Sequence, residues 1–422
     1  MARHHLILGA GPAGVIAAES LRKLVPQDRV TLVGDEPELP YSRMAIPYLL
    51  MGSIDERGTL LRKDPHHYEA LGIERVQARA TSVDAGKRLV ELSNGQAIRF
   101  DCLLIATGSL PVRFPIPGFD GANVHPCWTL ADAREIVALA QPGAKVVQMG
   151  AGFIGCIIME ALASRGVSLT VVEMGDRMVP RMMGPTAGAM IKSWCESKGV
   201  SVITGAKVER IDHADGRSSK VCLSTGAQIE ADLVISATGV KPNVAFLQGS
   251  GIEVQTGVLT DATLQTNCAG IYAAGDCAQA YDRPSQSHLV SAIQPNAADE
   301  ALVAARNMAG QHSALQRVPQ INVLDTLGLI SSSFGQWQGV PGGDHVEMTD
   351  WINHRMLGLQ FEGDRLIGCN AIGWTEHVGV MRGLVEGQVR LGAWKETLLK
   401  DPTRLMEAYL ACAQAQEQHA VV

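Results

Sequence analysis

Short aliphatic runs that end at a glycine recur along the chain and set its main pattern. Residues 6–8 lead into Gly9, and residues 145–149 lead into Gly150. After each glycine the pattern becomes helical, and a second aliphatic run follows the helix. Strands that are apolar on both faces and alternate with helices are typical of a parallel sheet. The chain is therefore predicted to have the α/β fold class, with one βαβ unit occurring twice.

The glycines of both turns follow the spacing Gly-x-Gly-x-x-Gly. In such a turn the first glycine permits a tight bend, the second lets the backbone approach a pyrophosphate, and the third lets the helix pack on the strand. The helix directs free N–H groups at the phosphates, and an acidic residue about 20 positions later accepts a hydrogen bond from a ribose. One copy is weak evidence, but two complete copies predict two Rossmann-like dinucleotide-binding domains. The candidate residues are Gly9, Gly11, Gly14 and Asp35 or Glu36 in the first copy, and Gly150, Gly152, Gly155 and Glu173 in the second.

Proline and glycine divide the rest of the chain. A strand ending in Ala-Thr-Gly follows each dinucleotide-binding unit, and residues 114–118 and 239–243 predict two crossings between domains. After Pro319 the pattern changes to shorter strands and helices, which indicates a separate α+β domain. The predicted domains are residues 1–113 with 241–319, residues 114–240, and residues 320–422.

Individual elements follow from the same patterns. A helix is predicted to begin at Ala297. In the last domain, the predicted strands are residues 321–327, 357–361 and 366–371, and the predicted helices are residues 379–385 and 402–414.

Composition and charge narrow the class of protein. With 46% apolar and 19% charged residues the chain is expected to pack a core, and a net charge of −7 does not favour nucleic-acid binding. The nine cysteines lack CxxC spacing, which argues against a disulfide framework and a zinc or iron–sulfur site. No apolar run is long enough to span a bilayer, and residues 1–8 do not have the pattern of a secretory signal. A cytoplasmic protein without a bound metal is expected.

Two further motifs complete a set that resembles a known family. Pro40-Tyr41-Ser42-Arg43 and the Tyr-Ala-Ala-Gly-Asp-Cys segment at residues 272–277 occur in the same order, relative to the glycine turns, as in FAD/NAD(P)-binding pyridine nucleotide-disulfide oxidoreductases. Within this group the chain resembles ferredoxin and rubredoxin reductases and the flavin portion of NADH-dependent nitrite reductases. The resemblance implies FAD in the first dinucleotide-binding domain, NAD in the second, and an interface role for residues 320–422.

The resemblance also implies roles for individual residues. Arg43 would lie near the FAD phosphates, the backbone of Ala80 near adenine, and Asp276 at the ribityl chain. A carboxylate at Glu173 accepts a hydrogen bond from a ribose 2′-hydroxyl and repels a 2′-phosphate, so NADH is favoured over NADPH. Arg177, which is close in sequence, is a cation that would instead attract a 2′-phosphate. The implied cofactor-binding residues are Gly9, Gly11, Ala13, Gly14, Asp35, Glu36, Arg43, Ala80, Ala106, Thr107, Gly108, Gly275 and Asp276, together with Gly150, Gly152, Phe153, Ile154, Gly155, Glu173 and Gly239.

The chain departs from the family pattern in two places. Residues 37–60 contain no cysteine, so thiol chemistry beside the flavin is not expected, and Cys277 is interpreted as a packing residue. Tyr48 and Ile157 occupy the positions where ferredoxin reductases usually carry a paired lysine and glutamate. Because both partners are replaced together, an intact but less polar flavin site is expected.

These observations predict an FAD-dependent NADH:acceptor oxidoreductase. Hydride transfer between nicotinamide and flavin N5 depends on distance and orientation, and no catalytic acid–base side chain is required. The expected electron partner is an iron–sulfur or rubredoxin-type protein, or the partner subunits of a larger redox enzyme, with electrons able to flow in either direction. The alternatives are a reductase of quinone or another small acceptor, and an assembly or regulatory flavoprotein that responds to NADH.

Overall fold

The computed structural model describes residues 2–214, 218–282, 285–318 and 321–420. The chain divides into two compact units. The first comprises Met1–Val112, Trp128–Leu130 and Val240–Pro319, and the second comprises Arg113–Cys127, Ala131–Gly239 and Gln320–Val422. The predicted boundary between residues 319 and 320 lies outside the described residues. The division of the chain into FAD, NAD and interface domains stays a prediction.

A five-stranded parallel sheet forms the centre of the first unit. Its central strands are short, mostly aliphatic runs because both faces of the sheet are covered. In spatial order they are Ile271–Ala273, Cys102–Ile105, His4–Leu8, Arg29–Gly34 and Ile73–Gln77. The helices Pro12–Leu24 and Gln294–Met308 pack against one face, where Ile7, Leu21, Leu104 and Met308 are fully buried. This sheet places the carboxyl ends of the strands next to the first glycine turn.

Smaller elements surround this sheet. Ala80–Asp84, Leu89–Leu92 and Ala97–Arg99 form an antiparallel sheet, Val258–Thr260, Ala278–Asp282 and Ser287–Leu289 form a mixed one, and Ser109–Pro111 pairs with Val240–Pro242. The short helices are Arg43–Ala45, Ile46–Leu50, Glu56–Thr59, His67–Ala70 and Ala245–Leu247.

The second unit repeats the parallel arrangement. Its strands, in spatial order, are Ser201–Thr204, Ser168–Glu173, Lys145–Met149, Leu233–Ser236 and Val124–Pro126. The helices Leu130–Leu139, Phe153–Ser164 and Pro185–Ser197 accompany it, with an antiparallel sheet of Val208–Ala214, Ser218–Leu223 and Gln228–Ala231.

Residues 321–420 of the second unit form an α+β arrangement. Five antiparallel strands lie in the order Ile321–Thr326, Leu329–Gly335, Arg365–Ile372, Arg355–Glu362 and Asp344–Asp350. The helices Val378–Glu386, Trp394–Lys400, Pro402–Arg404 and Leu405–Ala420 complete it. The predicted fold class, two parallel α/β sheets with a C-terminal α+β segment, is confirmed.

Several predicted elements need correction. The helix expected from Ala297 begins at Gln294, because Pro295 occupies its first turn, where proline is favoured. The helix expected over residues 402–414 begins at Leu405, after a 3-10 turn at Pro402–Arg404. Within residues 321–420, the strands Leu329–Gly335 and Asp344–Asp350 and the helix Trp394–Lys400 were not predicted.

Candidate cofactor sites

The first glycine turn, residues 9–14, joins the strand His4–Leu8 to the helix Pro12–Leu24. Gly9 has a φ of +113°, and its N–H donates to the carbonyl of Val33 at 2.8 Å. A Cβ on Gly14 would lie 1.8 Å from the carbonyl oxygen of Gly9. A side chain at Gly14 would therefore push the helix away from the strand, as the sequence reasoning predicts.

The start of the helix Pro12–Leu24 fits an anionic group. Its N-cap is Gly11, which offers no side-chain oxygen to the first N–H groups of the helix. A Cβ on Gly11 would meet nothing within 4 Å, so the approach to these N–H groups is open. Uncapped N–H groups and the helix dipole favour a phosphate, which is what the pyrophosphate of FAD requires.

The second glycine turn, residues 150–155, has the same construction. Gly150 has a φ of +97°, and its N–H donates to the carbonyl of Val172 at 2.8 Å. A Cβ on Gly155 would lie 2.5 Å from the carbonyl oxygen of Gly150. The helix Phe153–Ser164 also begins at a glycine N-cap, Gly152, without a side-chain cap. The second turn therefore fits a dinucleotide by the same test as the first.

The two acidic candidates after the second strand of the first unit differ in their surroundings. Asp35 is exposed and has no side-chain hydrogen bond among the described residues. Glu36 is half-buried, accepts a short hydrogen bond from the Tyr41 hydroxyl, and forms an ion pair with Arg43 at 2.5 Å. The Glu36 carboxylate is thus already engaged by protein groups, whereas that of Asp35 faces solvent.

Arg43 is held from several sides within the first unit. One guanidinium nitrogen donates to the carbonyl of Trp128 at 2.5 Å, and the cation lies 5.3 Å from the Trp128 ring centre and 5.6 Å from that of Tyr41. The Trp128 indole donates to the carbonyl of Ser109 at 3.1 Å. Sequence reasoning missed Trp128, since it is 85 residues from Arg43 and no motif contains it.

The Gly-Asp turn at the end of the strand Ile271–Ala273 carries the predicted Gly275 and Asp276. Asp276 accepts a hydrogen bond from the Ser109 hydroxyl at 2.7 Å, and burial raises the pKa of its carboxyl above the ordinary value. The N–H of Gly275 donates at 2.7 Å to Glu300, which is 4% exposed. Burial raises the pKa of Glu300 to about 8. Glu300 was not predicted, because an acid in a helical segment is ordinarily a surface residue.

The remaining first-unit candidates lie at strand ends. The N–H of Ala106 donates to Leu8 at 2.7 Å, which places Ala106, Thr107 and Gly108 beside the first turn. The Thr107 hydroxyl donates to the carbonyl of Asn243 at 2.7 Å. Ala80 is buried at the start of the strand Ala80–Asp84.

Glu173 and Arg177 occupy separate environments in the second unit. The two oxygens of Glu173 accept from the N–H groups of Ala151 and Gly175, each at 2.7 Å. Arg177 pairs with Asp176 at 2.8 Å and donates to the carbonyl of Met183 at 3.0 Å. Arg177 also lines a cavity of about 400 Å³, together with Trp337, Glu347 and other residues of the C-terminal segment. Gly239, with a φ of +101°, follows the strand Leu233–Ser236.

Gln148 is a further residue that sequence reasoning missed. It is fully buried in the strand Lys145–Met149, and its side-chain nitrogen donates to the carbonyls of Gly150 and Gly155, both at 2.9 Å. The available signal was a glutamine inside an otherwise aliphatic strand. A buried amide requires hydrogen-bond partners, and the glycine turn provides them.

The thiols do not form a redox centre. All nine cysteines are free, and Cys268 is the one that is partly exposed. Burial raises the pKa of Cys277 to about 11 and that of Cys195 to about 12, so neither is a thiolate at neutral pH. Within the described ranges no three His, Cys, Asp or Glu side chains are grouped as metal ligands, and no helix is long and apolar enough to cross a membrane.

Comparison with known proteins agrees with this geometry. Residues 3–301 match the family model described as pyridine nucleotide-disulphide oxidoreductase. The chain is 30% identical over 402 residues to the NADH-dependent phenylglyoxylate dehydrogenase subunit epsilon of Aromatoleum evansii, covering 94% of this chain and 95% of that protein. It is 32% identical over 317 residues to rhodocoxin reductase of Rhodococcus erythropolis, covering 74% of each.

A solved structure gives the same result. The ferredoxin reductase for the CYP199A2 system from Rhodopseudomonas palustris superimposes with a TM-score of 0.81 at 26% identity, covering 88% of this chain and 91% of that one. The resemblance inferred from the sequence motifs is therefore confirmed, as are the oxidoreductase class and its cofactors, FAD and NAD(H). The chain belongs to the pyridine nucleotide-disulphide oxidoreductase family and lacks the disulfide for which that family is named.

Proposed function

We propose that this protein is an FAD-dependent NADH:acceptor oxidoreductase that moves electrons between NAD(H) and an iron–sulfur or rubredoxin-type protein, or the partner subunits of a larger redox enzyme. The observation that carries the proposal is the repetition of one glycine-turn geometry in two units, combined with the absence of a paired thiol among its nine cysteines. A protein that binds both dinucleotides and has no redox disulfide must pass electrons from the flavin directly to an acceptor.

The relatives support this class of acceptor. Rhodocoxin reductase and the ferredoxin reductase of the CYP199A2 system are named for small redox-protein partners. The relative from Aromatoleum evansii is named as one subunit of an NADH-dependent dehydrogenase, and it matches this chain over nearly its whole length. We therefore include partner subunits among the acceptors, with electron flow possible toward NAD⁺ as well as from NADH.

The first turn, Arg43 and the Gly-Asp turn would hold FAD, and the second turn with Glu173 would hold NAD(H). Bound FAD supplies the chemistry, since a flavin accepts two electrons with a hydride and releases them one at a time. The chain's own residues would bind and orient the two dinucleotides: the uncapped helix N–H groups would hold the phosphates, and Asp276 would offer a hydrogen-bonding carboxyl. No residue is required to transfer a proton to the substrate, so no catalytic acid or base is assigned.

The predicted domains have corresponding roles in this proposal. Residues 1–113 with 241–319 would bind FAD, residues 114–240 would bind NAD, and residues 320–422 would form an interface. We also propose a cytoplasmic location, because free thiols persist in a reducing compartment and all nine cysteines are unpaired.

The test is an anaerobic NADH titration of the FAD-loaded protein, followed by steady-state assays with a purified ferredoxin, a rubredoxin and a soluble quinone. The proposal expects NADH to bleach the flavin and an iron–sulfur protein or rubredoxin to be reduced in preference to the quinone. Selective turnover of the quinone would support a small-acceptor reductase instead. Reduction by NADH with no turnover of any acceptor, accompanied by a change in mass, would support a regulatory flavoprotein.

A further inference from the structure

The second glycine turn contains a polar bridge that has no counterpart in the first. The side-chain nitrogen of Gln148 lies 2.9 Å from the carbonyl oxygen of Gly150 and 2.9 Å from that of Gly155. Gly150 is the first glycine of the glycine turn, at the end of the strand. Gly155 is the last glycine and is the third residue of the helix Phe153–Ser164. One amide group therefore connects the end of the strand to the beginning of the helix.

The equivalent position in the first unit is Ile7. Ile7 and Gln148 each lie two positions before the first glycine of their turn. The two strands also have the same register with the neighbouring strand, since the N–H of Gly9 donates to the carbonyl of Val33 and that of Gly150 donates to the carbonyl of Val172. Ile7 is fully buried and packs in the apolar core. The fold therefore accepts an aliphatic residue at this position, and formation of a glycine turn does not itself require the amide.

The spacing inside the two turns also differs. A Cβ built on Gly14 would lie 1.8 Å from the carbonyl oxygen of Gly9, whereas a Cβ on Gly155 would lie 2.5 Å from that of Gly150. The helix of the second turn thus stands farther from the first glycine, and the Gln148 nitrogen, 3.0 Å from that Cβ position, occupies the gap. The amide therefore lies between the end of the strand and the first turn of the helix.

Stability alone does not account for Gln148. Its side-chain oxygen is buried, and it has no hydrogen-bond partner within the part of the chain that the structure describes. A buried acceptor without a partner lowers the free energy of unfolding by about as much as the two hydrogen bonds raise it. An aliphatic side chain at this position would have no unpaired polar atom. The orientation is nevertheless determined, because the reversed amide would bring its oxygen against two carbonyl oxygens.

We infer that Gln148 is a positioning residue for the nicotinamide dinucleotide. It fixes the first turn of the helix Phe153–Ser164 relative to the strand and so directs the uncapped N–H groups at the pyrophosphate. The inference rests on the proposed function, in which the second turn binds NAD(H). Loss of the bridge should weaken the binding of NADH equally in the ground state and in the transition state of hydride transfer. The KM for NADH should therefore rise, and kcat at saturating NADH should stay near its original value.

The experiment compares Gln148→Met and Gln148→Ile with the wild-type holoenzyme by anaerobic stopped-flow reduction. Gln148→Met retains a side chain of similar length without donors, and Gln148→Ile introduces the residue found at the equivalent strand position of the first unit, Ile7. The Kd for NADH is expected to rise roughly tenfold, because the uncapped N–H groups of the helix are no longer held in the orientation that the pyrophosphate requires. The limiting rate of flavin reduction and the FAD content should stay within about twofold of wild type.

Val147→Ala provides the matched control. Val147 is the neighbouring residue in the same strand, is 1% exposed, and packs in the apolar core with Val172 and Val234. Its truncation should lower the thermal stability without changing the Kd for NADH. The inference is overturned if both Gln148 variants bind NADH as wild type does, or if Val147→Ala raises the Kd equally. A wild-type protein that retains FAD and fails to bind NADH would overturn the proposed function itself.

Discussion

The buried carboxyl group of Glu300 accepts a hydrogen bond from the N–H of Gly275, with 2.7 Å between oxygen and nitrogen. This contact attaches the helix Gln294–Met308 to the turn that presents Asp276. Burial, together with the charges of Asp276 and Asp299, raises the pKa of Glu300 to about 8 against the opposing effect of the Gly275 N–H. Glu300 is thus protonated in the folded protein over much of the neutral range.

Glu300→Gln should remove a pH dependence of stability. The folded pKa of about 8 exceeds the unfolded value near 4.3, so the folded state holds an extra proton between these values and the free energy of unfolding falls as the pH rises through this range. The amide of glutamine still accepts from Gly275 and does not ionise. Above pH 8 we expect the variant to be more stable than wild type, by about 5 kcal/mol. Thermal unfolding at pH 5, 7 and 9 measures the difference.

The matched control for this prediction is Asp299→Asn, which removes an exposed carboxylate from the adjacent position of the same helix. It should retain most of the wild-type pH slope. Identical pH profiles for wild type and Glu300→Gln would show that Glu300 ionises normally in the folded protein.

The glycine turns were predictable from the sequence because their constraints are local. Gly14 is required by the carbonyl oxygen of Gly9 in the same turn, and Gly9 is required by its own φ of +113°, so the motif alone indicates both glycines. Glu300 and Trp128 were not predictable from the sequence. Their partners, Gly275 and Arg43, lie 25 and 85 residues away and come into contact with them only when the chain has folded.

The unpredicted strands have a different physical reason. Leu329–Gly335 contains three consecutive serines that are at most 2% exposed, a composition that sequence rules assign to loops. Asp344–Asp350 is an edge strand with mostly polar, accessible side chains, so it lacks an apolar signal. Both strands are stabilised by pairing with the longer strands Arg365–Ile372 and Arg355–Glu362, which were predicted in part.

Arg43→Lys should weaken FAD binding. Lysine preserves the charge but lacks the planar fork that contacts Glu36 and the Trp128 carbonyl together, and it stacks less well on the Trp128 ring. We expect the Kd for FAD to rise about tenfold, measured by fluorescence quenching when apoprotein is reconstituted. Arg29→Lys is the control, because the Arg29–Glu74 pair is exposed in the same unit. Equal effects of both substitutions would contradict a specific role for Arg43.

Glu173→Ala should reduce the preference for NADH over NADPH. The substitution removes a carboxylate that lies at the end of the second strand and accepts from Ala151 and Gly175. A 2′-phosphate would then no longer meet a negative charge, and the ratio of kcat/KM for NADPH to that for NADH should rise about tenfold. Glu230→Ala, at an exposed carboxylate of the same unit, should leave the ratio unchanged. An unchanged ratio in Glu173→Ala would exclude the carboxylate as the discriminating group.

Cys277→Ala should retain activity. The thiol is fully buried, its sulfur lies 3.3 Å from the carbonyl oxygen of Ile105, and its pKa is raised to about 11. NADH-dependent turnover should stay within about twofold of wild type, because no step needs a thiolate. In the native wild-type protein, iodoacetamide at pH 8 should modify Cys268 before Cys277, as peptide mass measurement would show. If the flavin of Cys277→Ala were reduced by NADH but no longer reoxidised by the acceptor, the result would contradict this prediction and would indicate that the Cys277 thiol takes part in electron transfer.

Trp194→Phe should weaken the attachment of the C-terminal segment within the second unit. The Trp194 indole N–H lies 3.1 Å from the carbonyl oxygens of both Thr326 and Leu327, at the turn that ends the strand Ile321–Thr326. Phenylalanine retains an aromatic ring, although a smaller one, and donates no hydrogen bond. The expected loss is about 1 kcal/mol, seen as a melting temperature lower by about 2–4 °C and faster limited proteolysis after residue 320. Trp351→Phe is the control, since Trp351 is 49% exposed. An equal loss of stability in both variants would contradict the role of the Trp194 indole N–H.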